Sequence, residues 1–401
     1  MVKVAVLGYG TVGSGIVEVI KTNQEAINQK TEDEMDVKYI LDLRDFPGDP
    51  YENLIVHDVD VIMNDPDVKV VAEAMGGVEP AYTFTKRALL AGKSVCTSNK
   101  ELVEKHGQEL MTIARENQCN YLFEASVGGG IPIIRTLNTA LTPEKIDAIT
   151  GILNGTTNYI LTKMETEGAD FNEVLKKAQE MGYAERNPEA DIEGYDACRK
   201  IAILSSLAFG KNVDAADIYT EGITKITTND FAYAKKFGAT IKLLGMSKMI
   251  DGKYFAMVSP FILFPKNPLF SVSDVFNAIL VHGNNLGNTM YYGAGAGKLP
   301  TASAVVSDMI DCARHLGKTF PCRWDAEKLQ LSSFEDSSKR FFVRIDCAEK
   351  VKAESVFAGA EFAEGVVEGE IGFVSPAMSE KEYQEKAAQF DKIISMIRVE
   401  E

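Results

Sequence analysis

Six residues near the start of the chain, Gly8-Tyr9-Gly10-Thr11-Val12-Gly13, constrain its fold more than any other stretch. They lie between "VKVAVLG", a continuous apolar run that reads as a buried strand, and "TVGSGIVEVIKTN", whose apolar residues recur at helical spacing. A second apolar run, "DVKYILDL", completes a βαβ unit. In that setting each glycine has its own task. Gly8 makes the tight turn, Gly10 lets backbone approach a pyrophosphate, and Gly13 lets the helix lie close to the strand. The helix N-terminus, with Thr11 and Val12 in its first turn, holds the anion. A purely structural glycine turn is the competing explanation; the place between strand and helix favours a dinucleotide.

The second strand ends "ILDLRDFPGD", where an acidic residue binds an adenosine ribose and an arginine accommodates a 2′-phosphate. Asp42 and Arg44 are both present, so either NAD or NADP is permitted, and Arg44 tips the reading slightly towards NADP. Strand runs at "VKVVAEAMGG", "KSVCTSNK" and "NYLFEASVGG", alternating with helix patterns such as "PAYTFTKRALLAG", extend the unit into a doubly wound sheet.

A chain of 401 residues is too long for one ordinary core and suggests two or three domains. The net charge of -16 argues against nucleic acid as a partner. The most apolar run, "YFAMVSPFILFP", is short and broken by proline, which argues against a membrane span. The start of the chain lacks the pattern of a signal peptide, so a cytoplasmic protein is expected. Cys96, Cys119, Cys198, Cys312, Cys322 and Cys347 form no CxxC pair and no metal-like cluster with the four histidines, and read as reduced thiols.

The dinucleotide domain is expected over residues 1–135, with the chain returning to it at 291–318, where a second glycine-rich loop, "YYGAGAGKLPTASAVVSD", precedes a helix. Residues 136–290 read as an α+β domain with an open sheet, in which "KIDAITGILNG" and "KYFAMVSPFILFP" are strands and "ADFNEVLKKAQEMG" is a covering helix. Residues 338–401 read as a small α+β module, with a Ser379-x-x-Glu382 capping box opening its helix "EKEYQEKAAQF".

Within the middle domain, "DIEGYDACRK" puts Asp196 and Lys200 four residues apart. Such a pair on a helix surface is ordinary and contributes roughly 0.2–0.5 kcal/mol. Here the helix continues "IAILSSLAFG" and is apolar nearly all round, as a buried helix is. Two charges on it must face each other, a cavity or a ligand.

Several strings together resemble the homoserine dehydrogenase family: "TSNKELV", "FEASVGGGIPIIRTL", "GILNGTTNYIL", "GYAERNPEADIEGYDACRKIAIL", "EGITKI" and "YYGAGAGKLPTASAVVSD". They run in the family's order over residues 1 to about 318. The resemblance implies a Rossmann-type domain, a catalytic and dimerisation domain, a homodimer or homotetramer, and NAD(P)-linked interconversion of L-homoserine and L-aspartate 4-semialdehyde. It implies Lys100 and Lys200 as active-site lysines, with Asp196 beside the latter. Glu185 and Asp191 would hold the substrate ammonium, with Gly155, Thr156 and Tyr183 lining the cleft. Gly76, Thr97, Ser98 and Gly295 would join the cofactor site, and Glu124, with Val127, Gly129 and Ile131, would hold a monovalent cation, usually sodium. Arg186-Asn187-Pro188 departs from the acidic residue and proline often found after Glu185, making the local charge less negative.

The chemistry suits these residue types. Alcohol oxidation by hydride loss needs a proton acceptor, and the reverse needs a donor; a lysine serves both if a second ammonium lowers its pKa. In many family members the tail is an ACT domain that binds threonine. Here "AEKVKAESVFAGA" is short for the first helix and lacks the glycine-led ligand loop, so the module reads as an abbreviated ACT-like one. An aspartate semialdehyde dehydrogenase would need a cysteine nucleophile, which no cysteine here matches. A catalytically silent dinucleotide sensor keeps the glycine motif but leaves Lys100, Asp196 and Lys200 without work.

Overall fold

The structure is a computed structural model that describes residues 1–31 and 33–400. It divides into two compact units, Met1–Pro143 with Ala202–Asp214 and Gly293–Leu329, and Glu144–Ile201 with Ala215–Tyr292 and Gln330–Glu401.

The first unit holds a parallel sheet of β1 (Val2–Leu7), β2 (Met35–Leu41), β3 (Ile55–Val56), β4 (Val68–Glu73), β5 (Ser94–Thr97) and β6 (Tyr121–Leu122). Their spatial order is 3-2-1-4-5-6, the doubly wound arrangement that leaves a crevice where strand order reverses, between β1 and β4. Val4, Val6 and Val37 of the strands pack with Ile16, Val17 and Ile20 of the helix Thr11–Thr22. Ala302, Val305 and Met309 of the helix Lys298–Arg314 join the same core. The two helices approach closely because position 15 is glycine; a Cβ there would lie 2.9 Å from the Lys298 carbonyl oxygen.

The second unit is built on one large sheet. Its main strands are β7 (Ile146–Ile152), β8 (Thr240–Ile250), β9 (Lys253–Leu263), β10 (Phe276–Gly283), β11 (Gly287–Ala294), β12 (Ser338–Asp346), β13 (Glu361–Ala363), β14 (Glu370–Val374) and β15 (Ser395–Glu400). They follow the order β11-β10-β7-β8-β9-β15-β12-β14-β13. The tail is therefore continuous with the sheet that precedes it: β15 runs parallel to β9, with Phe261 opposite Arg398. Its chain path is β12, helix Lys350–Val356, β13, β14, helix Glu380–Ala387 and β15. The first of these helices has only seven residues, in keeping with the short segment that encodes it.

Phe341, Val343, Phe357, Phe373 and Tyr383 form the tail's apolar core. Two buried arginines lie on its other connections. Arg398 donates to Glu380 at 2.9 Å, Glu221 at 2.7 Å and Ser259 at 2.8 Å. Arg344 donates to Asp230 at 2.8 Å and Glu370 at 2.6 Å. The expected capping box at Ser379 is only half made: its hydroxyl accepts from the Glu382 N–H, while the Glu382 carboxylate pairs with Lys386. A reciprocal box stands instead at Thr227 and Asp230, where aspartate replaces the usual Glu or Gln.

Among the described residues no disulfide forms, four of the six cysteines are buried, and no helix is long and apolar enough to cross a membrane.

Lys339, near the start of β12, supplies a pH-dependent prediction. Burial, aided by Lys248, pushes its ammonium down to about 8. Between that value and the ordinary lysine value the unfolded chain binds more protons than the folded one, so stability rises with pH across this window. Lys339→Met is therefore expected to stabilise the protein by about 1–3 kcal/mol at pH 7 and by less at pH 10, as read from urea midpoints at the two pH values. An equal effect at both would remove the proposed cause.

Candidate active site

In the glycine turn of the first unit the three glycines differ in conformation and surroundings. Gly8 has φ 92°, a left-handed conformation, and a Cβ on Gly13 would sit 1.8 Å from the Gly8 carbonyl oxygen. A Cβ on Gly10, by contrast, would meet nothing within 4 Å. Gly10 leaves open space at the start of the helix that begins at Thr11, as an approaching pyrophosphate requires. At the end of β2 the Asp42 carboxylate accepts from the Tyr9 N–H at 2.9 Å and forms a two-pronged pair with Arg44, at 2.9 and 3.0 Å.

On the other side of the β1–β4 switch, a hydrogen-bonded turn presents the expected lysine. Glu73, fully buried at the end of β4, accepts from the Thr97 hydroxyl at 2.5 Å and the Met75 N–H at 2.8 Å. The same Thr97 oxygen accepts from the Asn99 N–H. Asn99 reaches the Gly77 carbonyl at 2.6 Å and caps the helix Lys100–Glu116 through the Leu102 N–H. Lys100 is thus the first residue of a helix whose entry is fixed on three sides. The Thr97 hydroxyl is spent inside the turn, while Ser98 is half-buried and Gly76, at φ 82°, has open space beside it. Burial pushes the Glu73 carboxyl up, opposed by the donors around it.

The turn expected to hold a cation has Gly128 and Gly129 both at positive φ, 74° and 55°. Both Glu124 carboxylate oxygens are already taken by the Ile134 and Arg135 N–H groups, at 2.8 and 2.6 Å. Each carboxylate oxygen keeps a second lone pair, so Glu124 together with main-chain oxygens of Val127, Gly129 and Ile131 is an all-oxygen donor set of the kind that suits a hard cation. Asp308 supports this turn by accepting from the Glu124 N–H at 2.9 Å and from the Arg135 guanidinium at 2.8 Å. Burial pushes its carboxyl up to about 7. Gly295 lies backbone to backbone with Gly129: a Cβ on Gly129 would be 2.6 Å from its carbonyl oxygen.

In the second unit the sequence strings "NGTT", "GYAE" and "DIEGYDACRK" converge. Asn154 caps the helix Gly155–Glu167 with its side-chain oxygen, which accepts from the Thr157 N–H at 2.9 Å. Its amide nitrogen bridges two carboxylates, Asp191 at 2.7 Å and Asp196 at 2.9 Å. Lys200 donates to Asp196 at 2.6 Å and to the Leu153 carbonyl at 2.8 Å. Asp196 and Lys200 are both buried, and the helix Tyr195–Phe209 that carries them is buried on nearly every side, as its sequence requires. Gly155 is held close to the Val275 carbonyl oxygen, which a Cβ would approach to 2.7 Å. The Thr156 hydroxyl donates to the Tyr183 carbonyl at 2.7 Å, and Tyr183 packs edge-on against Tyr159. Glu185 is exposed on the loop that follows.

Two carboxylates thus meet at the Asn154 amide, groups of the kind that bind a cationic group of a ligand. Asn99, Asn154, Glu73 and Asp308 are contributors that residue-level reading passes over. The asparagines sit where N-caps belong, directly before a helix, and that was the available signal.

Comparison with known proteins agrees with this geometry. Residues 8–124 match the family model described as homoserine dehydrogenase, NAD binding domain, and residues 132–310 match that described as homoserine dehydrogenase. The chain is 39% identical over 400 residues to the homoserine dehydrogenase of Bacillus subtilis (strain 168), covering 98% of this chain and 88% of that protein. A crystal structure of a homoserine dehydrogenase from Thiobacillus denitrificans superposes with a TM-score of 0.89 at 34% identity, covering 100% of this chain and 98% of the other. A hyperthermophilic archaeal homoserine dehydrogenase in complex with NADPH gives a TM-score of 0.66 at 28% identity, over 80% of this chain and 99% of that one.

Proposed function

The chain belongs to the homoserine dehydrogenase family, NAD(P)-dependent oxidoreductases, and from that premise we propose how its own residues carry the reaction. The substrate pair is L-homoserine and L-aspartate 4-semialdehyde, and the nicotinamide ring, when bound, accepts or gives the hydride. The observation that carries the assignment of residues is the buried Asn154–Asp191–Asp196–Lys200 constellation.

Lys200 is the group placed to move a proton at the substrate's C4 oxygen. Its ammonium has three N–H bonds; two go to Asp196 and the Leu153 carbonyl, which leaves the third for a substrate oxygen. In the reducing direction that N–H donates to the oxygen as negative charge develops there, and in the oxidising direction the same nitrogen takes the hydroxyl proton. Asp196 positions Lys200, and Asn154 positions Asp196. Lys100, on the first turn of its capped helix, is the second active-site lysine. Asp191 and Glu185 bind the substrate ammonium, and Gly155, Thr156 and Tyr183 shape the cleft.

In the first unit, the Gly8–Gly13 turn binds the pyrophosphate, and Gly76, Thr97, Ser98 and Gly295 complete the dinucleotide's surroundings. Glu124, with main-chain oxygens of Val127, Gly129 and Ile131, would hold a monovalent cation, sodium by charge and donor type, which would supply rigidity to the turn and take no part in hydride transfer. The tail is an abbreviated ACT-like module, a reading supported by its two helices and four strands and by the shortness of the first helix. A homodimer or homotetramer working in the cytoplasm completes the proposal.

The test is nicotinamide absorbance at 340 nm with purified protein, L-homoserine and NAD or NADP, and with L-aspartate 4-semialdehyde and the reduced cofactors. Turnover in both directions is expected. Absence of turnover with either cofactor in either direction would sink the assignment and favour a dinucleotide-binding sensor.

A further inference from the structure

We infer that Asp42 makes the adenosine end of the cofactor site selective for NAD over NADP. The inference rests on the reading of the first unit as a nicotinamide dinucleotide domain.

Asp42 is the residue that follows β2, the place from which a dinucleotide domain of this kind reads the adenosine ribose. Its side chain is 10% exposed and cannot drift: Oδ2 accepts from the Tyr9 N–H inside the glycine turn, at 2.9 Å. Oδ1 accepts from the Arg44 N–H at 3.0 Å. The carboxylate is therefore a fixed negative charge beside the pyrophosphate turn, and a ribose 2′-hydroxyl, which has a proton to give, needs only to replace one Arg44 N–H on it.

A 2′-phosphate would place a near-dianion against that carboxylate. Protonation offers no relief, because the Arg44 guanidinium and the two backbone N–H groups hold the Asp42 carboxyl well below the usual carboxylate range. Arg44 supplies little compensation. Its guanidinium is engaged with Asp42 through Nε and Nη2 and lies 5.0 Å over the Phe46 ring. Turning it towards a phosphate would break the pair and leave Asp42 facing the same phosphate. The surrounding loop adds charge of the wrong sign: Asp45, Asp49 and Glu52 follow within ten residues, and the remaining basic group, His57, faces Asp45 at 3.2 Å and the Asp42 carbonyl at 2.8 Å. The lean towards NADP drawn from Arg44 alone is thus reversed by the partner that Arg44 has.

The experiment compares kcat/KM for NAD and NADP at saturating L-homoserine in the wild-type chain and in Asp42→Asn and Asp42→Ala. Binding of NADH and NADPH is measured alongside by nicotinamide fluorescence. The wild type is expected to favour NAD by about a hundredfold, the scale of a like-charge juxtaposition. Asp42→Asn keeps an oxygen for the Tyr9 N–H while removing the charge, and is expected to bring the ratio close to one. Asp42→Ala also frees Arg44 and is expected to favour NADP. A wild type that favours NADP, or a ratio that neither substitution moves, overturns the inference. Lack of turnover with tight NADH and weak NADPH binding would defeat the dehydrogenase assignment while supporting this one, so the two failures are distinguishable.

Discussion

Lys200→Ala is expected to lower kcat by about 10²–10⁴-fold in both directions, the range associated with loss of a positioned proton-transfer group. The side chain is held by Asp196 at 2.6 Å and the Leu153 carbonyl at 2.8 Å, so the substitution removes an oriented donor from a buried place. Asp196 keeps the Asn154 amide at 2.9 Å but loses its cation, so a stability loss of about 1–3 kcal/mol should accompany the loss of turnover, read from urea midpoints. NADH binding followed by fluorescence is expected to be unchanged, which separates loss of chemistry from loss of fold. Lys200→Arg is not expected to rescue, since a planar guanidinium cannot reproduce the point contacts to a carboxylate and a carbonyl at once. Asp196→Asn should retain more activity than Lys200→Ala, with an altered pH profile, because it disturbs only the aim of the lysine. Lys100→Ala provides the comparison: wild-type turnover in both lysine variants would end the two-lysine proposal.

Part of this architecture was legible from local pattern, and part was not. The βαβ context of Gly8–Gly13 is a short-range signal, and the structure gives each glycine a separate reason, down to the open space beside Gly10. The Asp196–Lys200 pair was legible because opposite charges four residues apart, in line with the apolar stripe of a buried helix, demand an explanation. What completes each site was harder to see. Glu73 ends a strand in "VVAEAM" and looks like any polar strand terminus until Thr97, from a neighbouring strand, donates to it. Asn154 bridges carboxylates 37 and 42 residues away, a relation that no spacing rule contains. Arg44 shows the same limit: as a charge in a loop it suggests phosphate, and its two-pronged pair with Asp42 is visible only in the structure.

The tail shows the same limit more strongly. "FFVRIDC" and "IISMIRVE" have the apolar texture of strands, yet each carries an arginine in a run that is otherwise apolar on its buried face. A buried guanidinium implies carboxylates nearby, but which ones is settled by the parallel pairing of β15 with β9, between segments more than 130 residues apart. Asp230 was equally hidden, because its capping role with Thr227 uses a shorter acid than the usual pattern.

Arg398→Met is expected to destabilise the second unit by about 3–5 kcal/mol, the cost of removing one partner from a buried ionic cluster. The Arg398 side chain is 2% exposed and Glu380 is 3% exposed, so Met leaves a carboxylate without its guanidinium and without access to water. Ser259 and Glu221 lose the same donor, and the cation over the Tyr219 ring, at 5.0 Å, disappears. Lysine is a poor substitute, since a single ammonium cannot serve Glu380, Glu221 and Ser259 in the geometry of a forked guanidinium. Much of the loss should return in Arg398→Met combined with Glu380→Leu, because removing both charges replaces a stranded ion with apolar packing. The cluster also bears on the proposed substrate site: Glu221 leads into Gly222, where a Cβ would stand 2.1 Å from the Ile192 carbonyl oxygen, and the Ile223 N–H donates to that oxygen at 2.8 Å. Ile192 adjoins Asp191. Arg398→Met should therefore also raise KM for L-homoserine severalfold while leaving NADH binding unchanged. Urea denaturation of the full chain, followed with the steady-state constants, checks both effects; a loss below about 1 kcal/mol would mean that the tail is held by its apolar core and strand pairing, with the arginine contributing little beyond a surface pair.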